Sequence, residues 1–253
     1  YLGLAHSAYG MGEFEQAQQY YRQAGRYLPN ELATLTGIAN TYLSVFNYKS
    51  AHKYFEVVLS KDSLYYPAYV GRALANYSLG FYEQALHDFE KANPIFDSQD
   101  TFQANWHTTK GLSYFHLGQF TKAMSCFKTA LEMDPKQFEA LSGMSNILIK
   151  QKKFPLAGEY LYKAIQLAPT YDGLWSNYGN LLLHFGMFDK AYEIFTSAIE
   201  KNPKNLSAWN GLGVVLLEKD QIEQSVSLLD SIVKKNPTDG FLHNNLGIAH
   251  LYA

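Results

Sequence analysis

The chain of 253 residues is 47% hydrophobic and 17% charged, with 21 basic residues against 23 acidic ones and a formal net charge of −2. That apolar content supports a large core and excludes a disordered chain. The near-neutral balance, with basic residues scattered or at most paired (Lys152–Lys153, Lys234–Lys235), leaves no field for nucleic-acid phosphates or anionic lipid. One cysteine, Cys126, excludes an internal disulfide framework and a cysteine metal cluster, and it reads as a small buried apolar residue. No apolar run approaches the roughly 20 residues that a membrane-spanning helix needs.

A fixed period of 34 residues organises everything else. Trp175, Tyr178, Gly179, Gly186, Phe188, Ala191, Phe195, Ala198 and Pro203 return 34 residues later as Trp209, Leu212, Gly213, Asp220, Ile222, Ser225, Leu229, Ile232 and Pro237. A period of this length means one supersecondary unit copied along the chain. With the Trp-like residue fourth and the Pro thirty-second in each unit, the chain divides into a single array. A truncated repeat at 1–31 is followed by 32–65, 66–99, 104–137, 138–171, 172–205 and 206–239, and a last helix starts near Gly240 and ends the array at 240–253. Between Gly80 and Gly118 the spacing rises from 34 to 38, and the surplus falls in an irregular joint at 93–103. Pro94 cannot continue a helix interior there, and Asp97, Ser98 and Asp100 favour turns and helix starts, so a shortened helix and a longer loop are expected.

Within each unit the apolar spacing predicts two amphipathic helices, A then B. Gly at the fifteenth position supplies the turn between them because it tolerates positive φ. Gly179 and Ala191 are small where the helices approach, Gly211 and Gly213 are packing glycines, and Pro155 falls at the first turn of its B-helix, where a missing N–H costs nothing. No unit buries its apolar face alone, so stability comes from stacking. Tyr1 already lies inside a helical repeat, which reads as an excised segment without a signal peptide, and the apolar ends, with Leu246, Ile248, Leu251 and Tyr252 at one of them, offer a surface for self-association.

No sequence pattern points to catalysis or to a cofactor. His-Glu-x-x-His, phosphate-loop, nucleophile-elbow and dinucleotide fingerprints are all missing, and no metal site is expected from the eight histidines. The 36 Phe and Tyr residues and three Trp fall mostly on repeat core positions, which reads as packing rather than base stacking.

The order Trp-x2-Leu-Gly, then Gly-x-[Phe/Tyr]-x2-Ala-x3-[Phe/Tyr]-x2-Ala, then Pro resembles the tetratricopeptide repeat family. The resemblance implies an all-α fold, an α-solenoid of stacked helix-turn-helix units in a right-handed superhelix. It also implies that positions 2, 5, 6, 9, 12 and 13 of the A-helices face a groove. Those positions hold Asn146, Asn177, Asn180, Asn210, Asn244 and Asn245, beside an apolar stripe that includes Tyr77, Phe115 and Ile149. The carboxylate clamp of chaperone-binding members finds Ser142, Asn146, Asn177, Ser207 and Gly211 at its places, so both asparagines match and its three cations are missing. The asparagine series is more similar to the ladder in the repeats of O-linked N-acetylglucosamine transferase, where amides bond a bound chain's backbone. An amide offers donor and acceptor together and so suits a peptide unit. The alternative is that the asparagines are simply solvated.

The reading is therefore a non-enzymatic scaffold or adaptor that holds a peptide segment of a partner protein in its groove. Two other readings stay open: a structural segment of a larger assembly such as bacterial secretion or pilus machinery, working through its ends or convex face, and a substrate-selecting domain fused to an enzyme outside the segment. The expected partner is protein, not nucleic acid or membrane, and no cofactor is expected. Cytoplasm is the default compartment, with one cysteine equally compatible with a bacterial periplasm if a signal lies outside the segment.

Overall fold

Helix periodicity in the sequence becomes fifteen α-helices among the described residues. The computed structural model describes residues 1–29, 31–92 and 101–253, with residues 101 and 102 described by backbone alone. The helices form two compact units, Tyr1–Pro135 and Lys136–Ala253. In the first unit A and B helices alternate as α1 (Leu2–Gly10), α2 (Phe14–Tyr27), α3 (Leu32–Ser44), α4 (Tyr48–Lys61), α5 (Tyr66–Ser78), α6 (Tyr82–Ala92), α7 (Thr101–His116) and α8 (Phe120–Met133). The second continues with α9 (Phe138–Lys150), α10 (Phe154–Leu167), α11 (Asp172–His184), α12 (Phe188–Lys201), α13 (Leu206–Glu218), α14 (Ile222–Lys235) and α15 (Gly240–Tyr252).

From 138, where α9 begins, each following A-helix thus begins 34 residues after the one before it, at 172, 206 and 240, as α5 does after α3 in the first unit. The joint expected at 93–103 lies outside the described residues over 93–100, and its last three residues are helical. They lengthen α7 to 16 residues where most A-helices have 13, so that end of the joint is helix, not loop.

The hairpin turns share one backbone geometry. The residue at the fifteenth position has positive φ at Gly12, Gly80, Gly118 and Gly186, and equally at Phe46, Lys152 and Asp220, all three near 59°. Its N–H bonds back three residues and the next N–H bonds back five, as in Lys152 to Ile149 O and Lys153 to Leu148 O, or Gly186 to Leu183 O and Met187 to Leu182 O. This pair of bonds satisfies carbonyls orphaned at the helix end. Pro155 occupies the first turn of α10, as its spacing predicted.

The core of each unit is built on the twenty-fourth position. Tyr21, Phe55, Phe89, Phe127, Leu161, Phe195 and Leu229 are all at most 2% exposed. Glycines admit these side chains. A Cβ on Gly179 would stand 2.3 Å from the Phe195 ring, and one on Gly211 of the following A-helix would also stand 2.3 Å from it, so the ring is clamped between α11 and α13. Gly37 and Gly71 make room in the same way for Tyr21 and Phe55.

Where positions 8 and 20 meet across a hairpin, both residues are small. Where one is serine it donates across the contact: Ser145 Oγ to Ala157 O at 3.0 Å, and Ser225 Oγ to Gly213 O at 2.8 Å, so the burial of each hydroxyl is compensated.

A third recurrent contact joins successive repeats. The side chain at the fourth position reaches the carbonyl six residues earlier: Trp175 Nε1 donates to Pro169 O at 2.8 Å and Trp209 Nε1 to Pro203 O at 2.9 Å. Tyr69 Oη donates to Ser63 O at 3.2 Å, and His243 Nε2 lies 2.9 Å from Pro237 O. The carbonyl can only accept, so Nε2 of His243 carries the proton.

Candidate functional site

In the second unit the A-helices α11, α13 and α15 pack side by side, and their common face holds a groove of about 500 Å³. The 34-residue period brings one register position of each helix to the same face, so asparagines far apart in sequence converge. Asn177 and Asn180 of α11, Asn210 of α13 and Asn245 of α15 all line the groove, and Leu183, Leu206, Val214, Phe241 and Leu242 make its apolar part. Asn245 Nδ2 donates to Asn210 Oδ1 at 2.8 Å, an amide-to-amide link between adjacent repeats. Asn180 is exposed and Asn177 half-buried, so both amides are within reach of a ligand laid in the groove.

Ser176 and Ser207 add hydroxyls to the lining, and helix starts add two carboxylates. Asn205 caps α13 by accepting from the Ala208 N–H at 2.9 Å, and Asp239 caps α15 by accepting from the Phe241 and Leu242 N–H groups at 3.0 and 3.1 Å. Asp172, the first residue of α11, accepts from Asn202 Nδ2 at 2.7 Å. Both carboxylates line the groove and are half-buried.

The other expected site residues lie elsewhere. Asn244 is exposed beside the groove, its Nδ2 3.4 Å from Asn245 Oδ1. Asn146 and Ile149 are half-buried on α9, outside the residues that line the groove. Tyr77 and Phe115 belong to the first unit, and both rings are engaged within the stack, Tyr77 also meeting His116 of α7 at 6.1 Å. Tyr77 packs on Tyr82 and Phe115 on Phe120, with centroids 5.9 and 5.5 Å apart, as Tyr9 packs on Phe14 at 5.4 Å. Position 12 thus meets the first residue of the next helix across the turn. Cys126 is only half-buried on α8, and burial pushes its thiol pKa up.

Two features escaped the sequence. The first is a largely apolar cavity of about 570 Å³ among α10, α11 and α12, lined by Phe154, Tyr162, Tyr178, Leu181, Phe185 and Met187. Burial, and then the neighbouring Tyr162, raise the Tyr178 phenol pKa. The signal was Gly158: at its register the other repeats carry Gln18, His52, Leu86, Met124, Tyr192 and Val226. The second is a polar cluster between α5 and α6. Arg72 donates from Nε and Nη2 to the two oxygens of Asp88 at 2.9 and 2.7 Å, and Asn76 Nδ2 adds a bond at 3.0 Å. Asp88 and Asn76 are each 2% exposed. Among the described residues no three His, Cys, Asp or Glu side chains are grouped to hold a metal, and no helix is long and apolar enough to cross a membrane.

A stack of helical hairpins with small residues at the crossings and a shared A-helix face is a helical repeat protein of the protein-binding scaffold type. The tetratricopeptide repeat family matches it over residues 1–24, 104–137 and 182–246. The chain is 28% identical over 168 residues to human Tetratricopeptide repeat protein 6, an alignment that takes in 66% of this chain and 31% of that protein. It thus spans about a third of that relative's length. The Cut9–Hcn1 hetero-tetramer structure of the APC/C matches 97% of this chain and 48% of its own, with a TM-score of 0.79 at 17% identity. A second structure, YrrB, described as a tetratricopeptide protein with an unusual peptide-binding site, matches 74% of this chain and 95% of its own, with a TM-score of 0.55 at 20% identity. At these identities the two structures speak for the fold.

Proposed function

We propose that the chain is a non-enzymatic scaffold or adaptor that holds an extended segment of a partner protein in the groove of α11, α13 and α15. One observation supports this most: amides from three successive A-helices line a single groove of about 500 Å³. An extended peptide presents alternating donors and acceptors, and a primary amide answers both without asking for a particular sequence. Leu183 and Val214 offer apolar contact between the amides, which suits a few anchoring side chains. YrrB, described by its peptide-binding site, is a fold relative consistent with this use. The reading as part of a larger assembly is favoured by a different observation, the likeness to a subunit pair that forms a hetero-tetramer. In that case the contacts lie on other faces.

The test is peptide display panned on the wild-type chain and on Asn177→Ala/Asn180→Ala. Enriched peptides are expected to lose binding to the double variant while its melting temperature stays unchanged. Peptides that bind both proteins equally would move the function to another surface.

A further inference from the structure

The lining of the groove goes beyond amides. It carries two carboxylates, Asp172 and Asp239, and among the described residues no Lys, Arg or His lines it. We infer that the groove selects a basic segment, an extended chain with two Arg or Lys side chains set to reach Asp172 and Asp239. The inference rests on the groove reading proposed above and gives its partner a chemistry.

Three observations carry it. First, the carboxylates are half-buried, so a cation brought to them is less screened than at an open surface. Second, each keeps an oxygen for a ligand: Asn202 bonds Oδ2 of Asp172, and the N–H groups of Phe241 and Leu242 bond Oδ1 of Asp239. Third, helix starts that would otherwise draw an anion are already served. Asn205 and Asp239 accept the first free N–H groups of α13 and α15, and Asp172 places a negative charge in the first turn of α11. An acidic segment would meet two carboxylates and no counter-charge, while an Arg fork matches a carboxylate in two bonds.

The geometry also sets a register. Asp172 begins α11 and Asp239 caps α15, two A-helices apart with α13 between them. Neighbouring helix axes lie about 8–10 Å apart, so the carboxylates stand on the order of 16–20 Å from each other. An extended chain covers that in about five or six residues. The two basic side chains should therefore be separated by that interval.

The experiment uses three labelled twelve-residue peptides of Gly, Ser and Thr that differ only at two positions five apart, where they carry Arg, Gln or Glu. Anisotropy titrations are run on the wild-type chain, on Asp172→Asn/Asp239→Asn and on Asn177→Ala/Asn180→Ala. Asparagine caps a helix as well as aspartate does, so α15 keeps its cap at position 239, and at position 172 the amide oxygen can still accept from Asn202. The first variant thus loses charge, and circular dichroism on heating checks that the helices are kept. The Arg peptide is expected to bind about tenfold more tightly than the Glu peptide, with Gln between them. That ratio should collapse toward one in Asp172→Asn/Asp239→Asn, whereas Asn177→Ala/Asn180→Ala should weaken the Arg and Gln peptides alike. Equal affinities that still depend on Asn177 and Asn180 would overturn the charge selection and leave the groove intact. An Arg preference that survives loss of both carboxylates would overturn it too. Binding indifferent to the asparagines, or no binding by any of the three, would overturn the groove reading itself.

Discussion

At Lys152 the backbone occupies the left-handed region at φ 59°, with an exposed side chain that gains nothing from it. A non-glycine residue there costs about 1–2 kcal/mol, partly offset by the greater freedom glycine has in the unfolded chain. Lys152→Gly is therefore expected to stabilise by about 0.5–1 kcal/mol, read as a rise in denaturant midpoint at constant m-value. The reverse change, Gly186→Val, should lower it, because a β-branched residue is least suited to that conformation. Protonation is a second matter at this scale. Burial, and then Lys110, hold the His107 pKa below the ordinary histidine range. The folded state takes up this proton at lower pH than the unfolded one, so in that window the unfolded chain binds more protons and stability falls as acid is added. His107→Gln should flatten that fall below about pH 6.5, in melts run across pH at fixed ionic strength.

Helix pairs owe their fit to single atoms. Gly179→Ala would push a methyl into the Phe195 ring that α11 and α13 hold between them, an overpacking worth about 1–3 kcal/mol. Pairing it with Phe195→Leu should recover part of the loss, and chemical denaturation of both variants measures the coupling. In the α5–α6 cluster, Arg72→Met leaves the Asp88 carboxylate buried without its cation and should cost about 3–5 kcal/mol. Arg72→Met/Asp88→Leu should recover much of it, since the buried charge goes with its partner. These two cases mark what the sequence made legible. The small residue at Gly179 and the helix turn at position 15 follow from a period of 34, because repetition shows which places must be small or must bend. Phe46, Lys152 and Asp220 take the same turn without glycine, since the two backbone bonds at the helix end impose it. Asp88 and Gly158 depart from the period in one repeat each and Arg72 shares its departure only with Lys110, and a departure gains meaning only when its neighbours in space are known. The asparagines were visible as a series; the meeting of Asn210 with Asn245, and the absence of Asn146 and Asn244 from the groove lining, depended on side-chain placement.

Over the whole molecule, stability should be a sum of repeat and neighbour terms, as in other stacked arrays. Residues 136–253 form one compact unit with its own buried cluster around Leu229, Ile232, Val233, Leu242 and Ala249, and it contains the entire groove. A fragment of those residues is expected to fold with a helical circular-dichroism spectrum and to keep the peptide affinity of the full chain; a random-coil spectrum would show that it depends on the rest. The indole bonds to Pro169 and Pro203 give this experiment its own optical gauge. Of the three tryptophans only Trp106 lies outside residues 136–253, so in Trp106→Phe all indole emission arises at two repeat junctions. Opening either junction wets its ring and shifts the emission to the red, so a fluorimeter can watch the repeats part from one another without any added label.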